Sequence, residues 1–393
     1  MRPDLIALLI ALVTLAWPGR ALAYPWMIEH QYTTCSQCHI DPSGGSAMTA
    51  YGRAQTEALL RSHYGKEIED PGPVKDFLFG AVPLPDEVLA QADVRGLMIP
   101  RPGDLRFVLM QADLRGGLQN DSGILYASAG VVSEGASGAR LLSDEGVTNE
   151  ALIPVIRDYW VGLTPSNGVL IRLGRINLPF GIRTDQHILF TRSVTRTTTN
   201  DDQSFGLSAS YEARSWRAEI MGIAGNLHVS PDAFRERGYS GTFAYALDNN
   251  AELGVSSLIA ASKADVESLL PTTRQAHGVF TRYAPIEWMG ILGEADLLLT
   301  SAGQDERTSA TGAVVELHAD VEAMQGLHLK LGGELCDPDL SDEAGSARRG
   351  WGAVQWFLAP HVNLRIDALL GPLSCTPGAE ARPMGLAQLH AFL

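Results

Sequence analysis

The stretch "HVNLRIDALL" at residues 361–370 alternates without a break: Val362, Leu364, Ile366, Ala368 and Leu370 fall on one face, Asn363, Arg365 and Asp367 on the other. A period of two is that of a β-strand. "GLHLKLGGEL" at 326–335 repeats it, with Leu327, Leu329, Leu331 and Leu335 opposite His328, Lys330 and Glu334. "VVELHADVE" at 314–322 sets Val315, Leu317, Ala319 and Val321 against Glu316, His318, Asp320 and Glu322. One apolar and one charged face suits a sandwich that shows its polar side to water, or a membrane barrel that turns it to the lumen.

Working outward, about sixteen segments of this kind run from 88–98 to 384–393, most of them about ten residues long, the length that crosses a bilayer at a tilt. From the fourth segment on, short turns such as "TPSNG", "EARS", "DNN", "API" and "LAP" alternate with long polar loops. Outer-membrane barrels have short periplasmic turns and longer extracellular loops, whereas a soluble sandwich has no reason to keep that alternation. The fold class expected is therefore mainly β: an antiparallel transmembrane β-barrel of about 16 strands (14–18). By this topology the start of the barrel and its C-terminal end both lie at the periplasmic side. The tail "GLAQLHAFL" fits a terminal barrel strand, with Leu389, Ala391 and Leu393 on the apolar face, although Phe392 stands one position short of the end. Trp160, Trp216, Trp288, Trp351 and Trp356 are either girdle residues at the membrane interfaces or packing residues.

Composition agrees with either a globular or a membrane protein: 45% of residues are hydrophobic and 19% charged. The net charge of −15 speaks against nucleic acid and against binding an anionic surface by charge. Residues 1–23 read as a signal peptide, with Arg2, the apolar run "LIALLIALVTLA" and a small-residue "ALA" cleavage pattern ending at Ala23. The mature chain then meets an oxidising compartment.

Ahead of the barrel stands "TTCSQCHIDPSGG", residues 33–45. In C-x-x-C-H the two thiols add across haem vinyl groups and the following histidine ligates the iron. A redox disulfide would sit in a thioredoxin-like βαβ pattern, and a zinc site would need two more ligands at matched spacing. Neither context is present in the sequence nearby, so one covalent haem c is expected, with Cys35 and Cys38 as attachment points and His39 as proximal ligand. "SAMTAYGRAQTEALLRSHYG" predicts a helix capped at Ser46 or Thr49 and stopped at Gly65. The sixth ligand is left among His63, Met48 and His30, or an open site. Residues 24–65 form the expected small α-helical c-type haem domain, and the Pro-rich 66–87 a linker to the barrel at 88–393.

On Cys35, Cys38 and His39 this segment resembles single-haem c-type cytochrome modules, which implies a periplasmic electron-transfer domain anchored by a porin-like barrel. A second stretch, "LGRINLPFGIRTDQ" at 173–186, is similar in Gly174, Arg175, Pro179, Phe180 and Gly181 to porins of the phosphate-selective type. The loop after it carries Arg183, Arg192 and Arg196 and either stands in solvent or folds inward to narrow a lumen. Cys336 and Cys375 lie near the outer ends of strands and are paired as a disulfide or left as thiols.

The function expected is electron transfer, with a diffusion porin gated or sensed by its haem domain as the alternative. An enzyme is not expected. The partners implied are a periplasmic redox partner and outer-membrane lipid, with association into a homo-oligomer left open and no nucleic acid.

Overall fold

The structure is a computed structural model. It describes residues 26–62 except 31 and 33, 77–78, 82–133 except 102, 152–303 except 185 and 187, and 308–392 except 343, 344 and 377. Residues 1–23, read as a signal peptide, and most of the linker 66–87 lie outside the described residues.

Seventeen strands make one antiparallel sheet that closes because β1 (Val88–Arg101) pairs with both β2 (Asp104–Asn120) and β17 (Arg382–Phe392). Along β3 (Gly123–Ser133), β4 (Leu152–Val155) pairs with one half and β5 (Tyr159–Ser166) with the other. These two are one interrupted stave, so the 17 strands amount to a 16-stave barrel. The remaining strands are β6 (Val169–Ile176), β7 (Ser204–Glu212), β8 (Trp216–Gly225), β9 (Arg237–Asp248), β10 (Ala251–Ser262), β11 (Thr272–Ile286), β12 (Met289–Ala302), β13 (Thr308–Met324), β14 (Leu327–Asp337), β15 (Ala347–Ala359) and β16 (Val362–Gly371). One rim carries the short turns 120–123, 166–169, 248–251, 286–289, 324–327 and 359–362, and the chain enters β1 and leaves β17 there.

Burial settles which side of the pattern faces inward. Ile366 is 54% exposed and Leu331 72%, while Asn363 and Arg365 are only 2% and 3% exposed. Apolar out and polar in is the reverse of a soluble sandwich and is the arrangement of a barrel in lipid.

Two segments fill the lumen. Residues 26–62 enter from the short-turn rim as a plug made of 3-10 turns at Trp26–His30 and Cys35–Gln37 and one helix, α1 (Ala50–Leu59). Residues 177–203, between β6 and β7, fold in from the other end and include the short helix α2 (Phe190–Val194).

Two expectations are corrected here. The plug is not a separate cytochrome module hung beside the barrel. Its apolar residues have no core of their own: Met27, Tyr32, Met48 and Leu60 pack on Phe357 and Phe392 of the wall, and Ile40 and Ala47 join Leu89, Tyr126, Trp160 and Ile176. Its helical content is one ten-residue helix. The helix begins where Thr49 was expected to cap it, with the Thr49 hydroxyl accepting from the Gly52 amide at 3.0 Å, but it ends at Leu59 and not at Gly65. Past Leu60 the backbone is claimed by the wall, the Ser62 amide donating to the Phe357 carbonyl at 3.1 Å.

Phe392 and two of the tryptophans also differ from a membrane girdle. Trp160 and Trp351 are each 3% exposed and Phe392 9%, all turned inward, whereas Trp216 and Trp288 are exposed. The Trp356 indole donates to the Ser62 hydroxyl at 2.6 Å, tying the end of the plug to the rim.

Candidate functional site: a plugged lumen around Cys35, Cys38 and His39

The plug is anchored by buried polar contacts to inward-facing side chains. Arg172 of β6, fully buried, pairs with Asp41 at 2.8 Å and with Glu219 of β8 at 2.5 Å. Ser46 donates to Asp158 at 2.6 Å, and Arg115 of β2 donates to the Ser46 carbonyl at 2.8 Å while pairing with Asp93 at 3.2 Å. The Met48 amide donates to Gln91 at 2.9 Å, and Arg53 to the Ala90 carbonyl at 2.9 Å. Burial by itself would raise the Asp41 carboxyl; Arg172 and Arg183 outweigh it and hold Asp41 below the usual carboxylate range.

Cys35, Cys38 and His39 lie on this plug, facing space. The Cys38 and His39 amides both donate to the Cys35 carbonyl, at 3.1 and 2.9 Å, so one tight turn presents all three side chains. The helix α1 comes so close that a Cβ at Gly52 would lie 2.8 Å from the Cys38 Cα. His39 forms an antiparallel bridge with Met48, backed by Thr49 N–H to the Cys38 carbonyl at 2.8 Å and Ile40 N–H to the Ala47 carbonyl at 3.1 Å.

A cavity of about 220 Å³ lies against this turn, and its walls include Cys38, His39, Met48, Arg95, Arg115 and His390. A chamber of about 920 Å³ lies on the other side, between Cys35–Ser43 of the plug, Pro179–Arg183 of the inward loop, and the turns 119–122 and 164–169 at the short-turn rim.

The residues present fit a covalent haem. Both thiols are free, and the His39 Nδ1 is buried without a hydrogen-bond partner among the described residues. Burial first, then the Arg115 cation, pushes His39 down to about 4, which keeps the imidazole neutral, the form that ligates metals. Burial, with Cys35 beside it, pushes the Cys38 thiol up to about 11.

Of the three distal candidates, Met48 lines the same cavity, its Sδ accepting from the Thr56 hydroxyl at 3.7 Å. His30 is held elsewhere, 2.9 Å from Glu322 at the plug-wall contact. His63 lies outside the described residues. His390 of β17, bonded to Asp93 at 2.6 Å, also reaches the cavity and was missed in the sequence. Its one signal was a histidine on the polar face of the terminal strand.

The inward loop is where Arg183, Arg192 and Arg196 go. Arg192 pairs with Glu294 of β12, and Arg196 with Asp265 at 2.6 Å and Glu236 at 3.1 Å. The Ile182 amide donates to Glu294 at 2.7 Å and the Thr191 hydroxyl to Glu316 at 3.0 Å, so the loop is stitched to the opposite wall. Cys336, at the long-loop end of β14, and Cys375, in the connection after β16, are joined as a disulfide with Cα atoms 5.8 Å apart.

A further cluster went unrecognised in the sequence. Glu29 of the first plug turn is 4% exposed and faces Asp320 of β13 and His328 of β14, which are 1% and 0% exposed. Burial, then Asp320 and Glu322, push the Glu29 carboxyl up to about 9, with Lys330 pulling the other way.

No family model and no curated protein matches the chain. Among solved structures it is similar to the loop L8 deletion mutant of OmpT, an outer membrane protein of Vibrio cholerae (11% identity, TM-score 0.60), over 78% of this chain and 99% of that one. It is also similar to an anion-selective porin from Comamonas acidovorans (14%, TM-score 0.52, 78% and 99% covered) and to Salmonella typhi OmpF in complex with daunomycin (12%, TM-score 0.53, 78% and 97%). The chain has the fold of a 16-stave outer-membrane barrel. These likenesses are to channels and outer-membrane barrels, so the expected placement among the cytochromes, with electron transfer as its function and a redox partner, finds no support and is corrected to a porin-like barrel.

Proposed function

We propose that the chain is a porin-class channel of the outer membrane whose passage is set by its own N-terminal segment, with the short turns in the periplasm. The observation that carries this is the plug: residues 35–46 lie in the lumen, fastened by Asp41 to Arg172 and Ser46 to Asp158, with a chamber of about 920 Å³ left open beside them. A charged lumen with a separate segment of the chain seated in it, and open space left beside that segment, fits gated solute passage. OmpT of Vibrio cholerae has been solved in a trimer form; for this chain a homo-oligomer surrounded by lipid is part of the proposal.

A covalent haem in the plug belongs to the same proposal. Cys35 and Cys38 would hold it, His39 would ligate it, and of the described distal candidates Met48 is the one that lines the same cavity. When bound it supplies an iron whose oxidation state and ligation can change. The chain's own residues would orient it, and burial with the Arg115 cation keeps His39 neutral.

Two measurements test these parts separately. In a planar bilayer, Asp41→Ala combined with Ser46→Ala should raise single-channel conductance on the order of several-fold, because the plug loses two of its anchors to the wall. Conductance equal to that of the unaltered chain would end the gating reading. A pyridine haemochrome spectrum of the denatured chain, expressed with c-type maturation, should show haem that is lost in Cys35→Ala/Cys38→Ala. A colourless native chain would end the cofactor reading and leave the channel reading standing.

A further inference from the structure

The first turn of the plug meets the wall at a group of side chains that ordinary packing does not explain. Glu29 stands among Asp320, Glu322, His328 and its own neighbour His30, with Lys330 close by. Strand register puts Asp320 opposite Lys330 and Glu322 opposite His328 on β13 and β14, so all four project into the lumen near the 324–327 turn. The His328 Nδ1 lies 2.9 Å from Asp320 and 3.8 Å from Glu29. One ligand atom from each of Glu29, Asp320 and His328 lies within 4.8 Å of the others, and Glu29, His30 and Glu322 make a second such set.

Charge makes this grouping costly as it stands. Three carboxylates are brought together in a mostly buried place with one lysine, Lys330, which pairs with Asp320 at 3.0 Å. Buried carboxylates are stable when paired or when they coordinate a metal. Glu29 is the informative member: it is 4% exposed, and neither of its carboxylate oxygens has a hydrogen-bond donor among the described residues. A carboxylate placed within reach of a histidine and a second carboxylate, with no donor of its own, is aimed at something absent from the chain.

We infer that Glu29, Asp320 and His328 form a binding site for one divalent transition-metal cation, with His30 and Glu322 at its edge, that latches the plug to the barrel wall. Mixed imidazole and carboxylate donors suit Zn²⁺ and its neighbours better than the all-oxygen sets that Ca²⁺ and Mg²⁺ prefer. Glu29 comes from the plug and the other two from the wall, so binding closes a cross-link between them. The latch role rests on the channel reading above; the ion site does not.

The test uses the full chain in detergent, stripped with a chelator and titrated with Zn²⁺ by calorimetry, with bound zinc counted by mass spectrometry. One ion per chain is expected, with affinity falling at least tenfold in Glu29→Gln and again in Asp320→Asn, while heat-modifiable gel mobility shows that both variants still fold. Zinc-edge absorption should show nitrogen and oxygen neighbours. Zinc bound through sulfur, which would place it on Cys35 and Cys38, or an affinity unchanged in both variants, would overturn the site. Zn²⁺ that binds as expected but leaves the conductance of the unaltered chain unchanged would overturn the latch alone.

Discussion

The wall of the barrel and the segments inside it obey opposite rules. In the wall, position along the strand decides everything: even steps go to lipid and odd steps to the lumen, so Ile366 and Arg365 have opposite fates one residue apart. In the plug no periodicity governs. Asp41, Ser46, Met48 and Arg53 are buried one at a time, each by a particular partner on β1, β2, β6 or the stretch before β5. A wall held by backbone ladders between neighbouring strands tolerates the loss of a side chain that faces water. A plug seated by particular pairs, Asp41 with Arg172 and Ser46 with Asp158 beside its apolar contacts, does not tolerate the loss of those pairs.

The conductance increase expected for Asp41→Ala with Ser46→Ala is the largest effect by which this contrast can be broken. Next comes the wall. Ile366→Arg, in the middle of β16 on the lipid side, should cost about 2–4 kcal/mol of folding free energy into lipid vesicles. Gln388→Ala on the lumen side of neighbouring β17, a buried position, should cost about 1 kcal/mol, the typical cost of a point substitution. Equal costs at the two sites, measured by reversible urea unfolding, would mean that the faces are misassigned.

The inward loop gives a smaller effect. Gly181 has φ +59, and a Cβ there would press on the Glu294 carboxylate and the Arg192 guanidinium. Gly181→Ala should therefore cost about 1–3 kcal/mol through backbone strain and the disturbed pair. It should also loosen residues 177–203 without releasing the plug. Protease cutting within that loop, with the plug still protected, is the pattern expected; simultaneous cutting of both would show that the two inserts act as one.

The smallest effect is in pH. Asp41 is held below its ordinary value of 3.8, so its bond to Arg172 is fully present above that value and is lost as pH falls through the lowered one. Conductance governed by this anchor should be flat from pH 8 to 5 and rise only in more acid solution. A rise near pH 6 would point to histidines, and not Asp41, as the controlling groups.

Much of the wall was legible because each strand carries its own evidence. The alternation at 361–370 lies in β16 (Val362–Gly371), and the segment read at 251–261 lies in β10 (Ala251–Ser262). The single interruption, β4 and β5, falls at Ile156–Asp158, where Arg157 turns to Asp113 at 2.7 Å and the Asp158 carbonyl accepts from the Ser128 amide at 2.9 Å. No local pattern marks such a break, since its cause lies on other strands.

The site was legible only as a motif. Residues 35–39 announce two thiols and an imidazole on one turn because covalent chemistry at that spacing is local. Their position inside the barrel is not local at all: it depends on Arg172, Arg115, Asp158 and Gln91, whose inward faces look like those of any lumen residue. The helix ending at Leu59, Phe392 turned inward, and Glu29 beside Asp320 and His328 have the same origin.

By itself, then, the sequence determined the barrel, its sidedness pattern and the chemical identity of the turn at Cys35, because strand period, turn length and ligand spacing are short-range properties. Only the tertiary structure decided that the N-terminal segment fills the lumen and which charges hold it there. Pairing between a plug and a wall distant in sequence is fixed by burial and Coulomb attraction between particular side chains, and neither leaves a period in the chain.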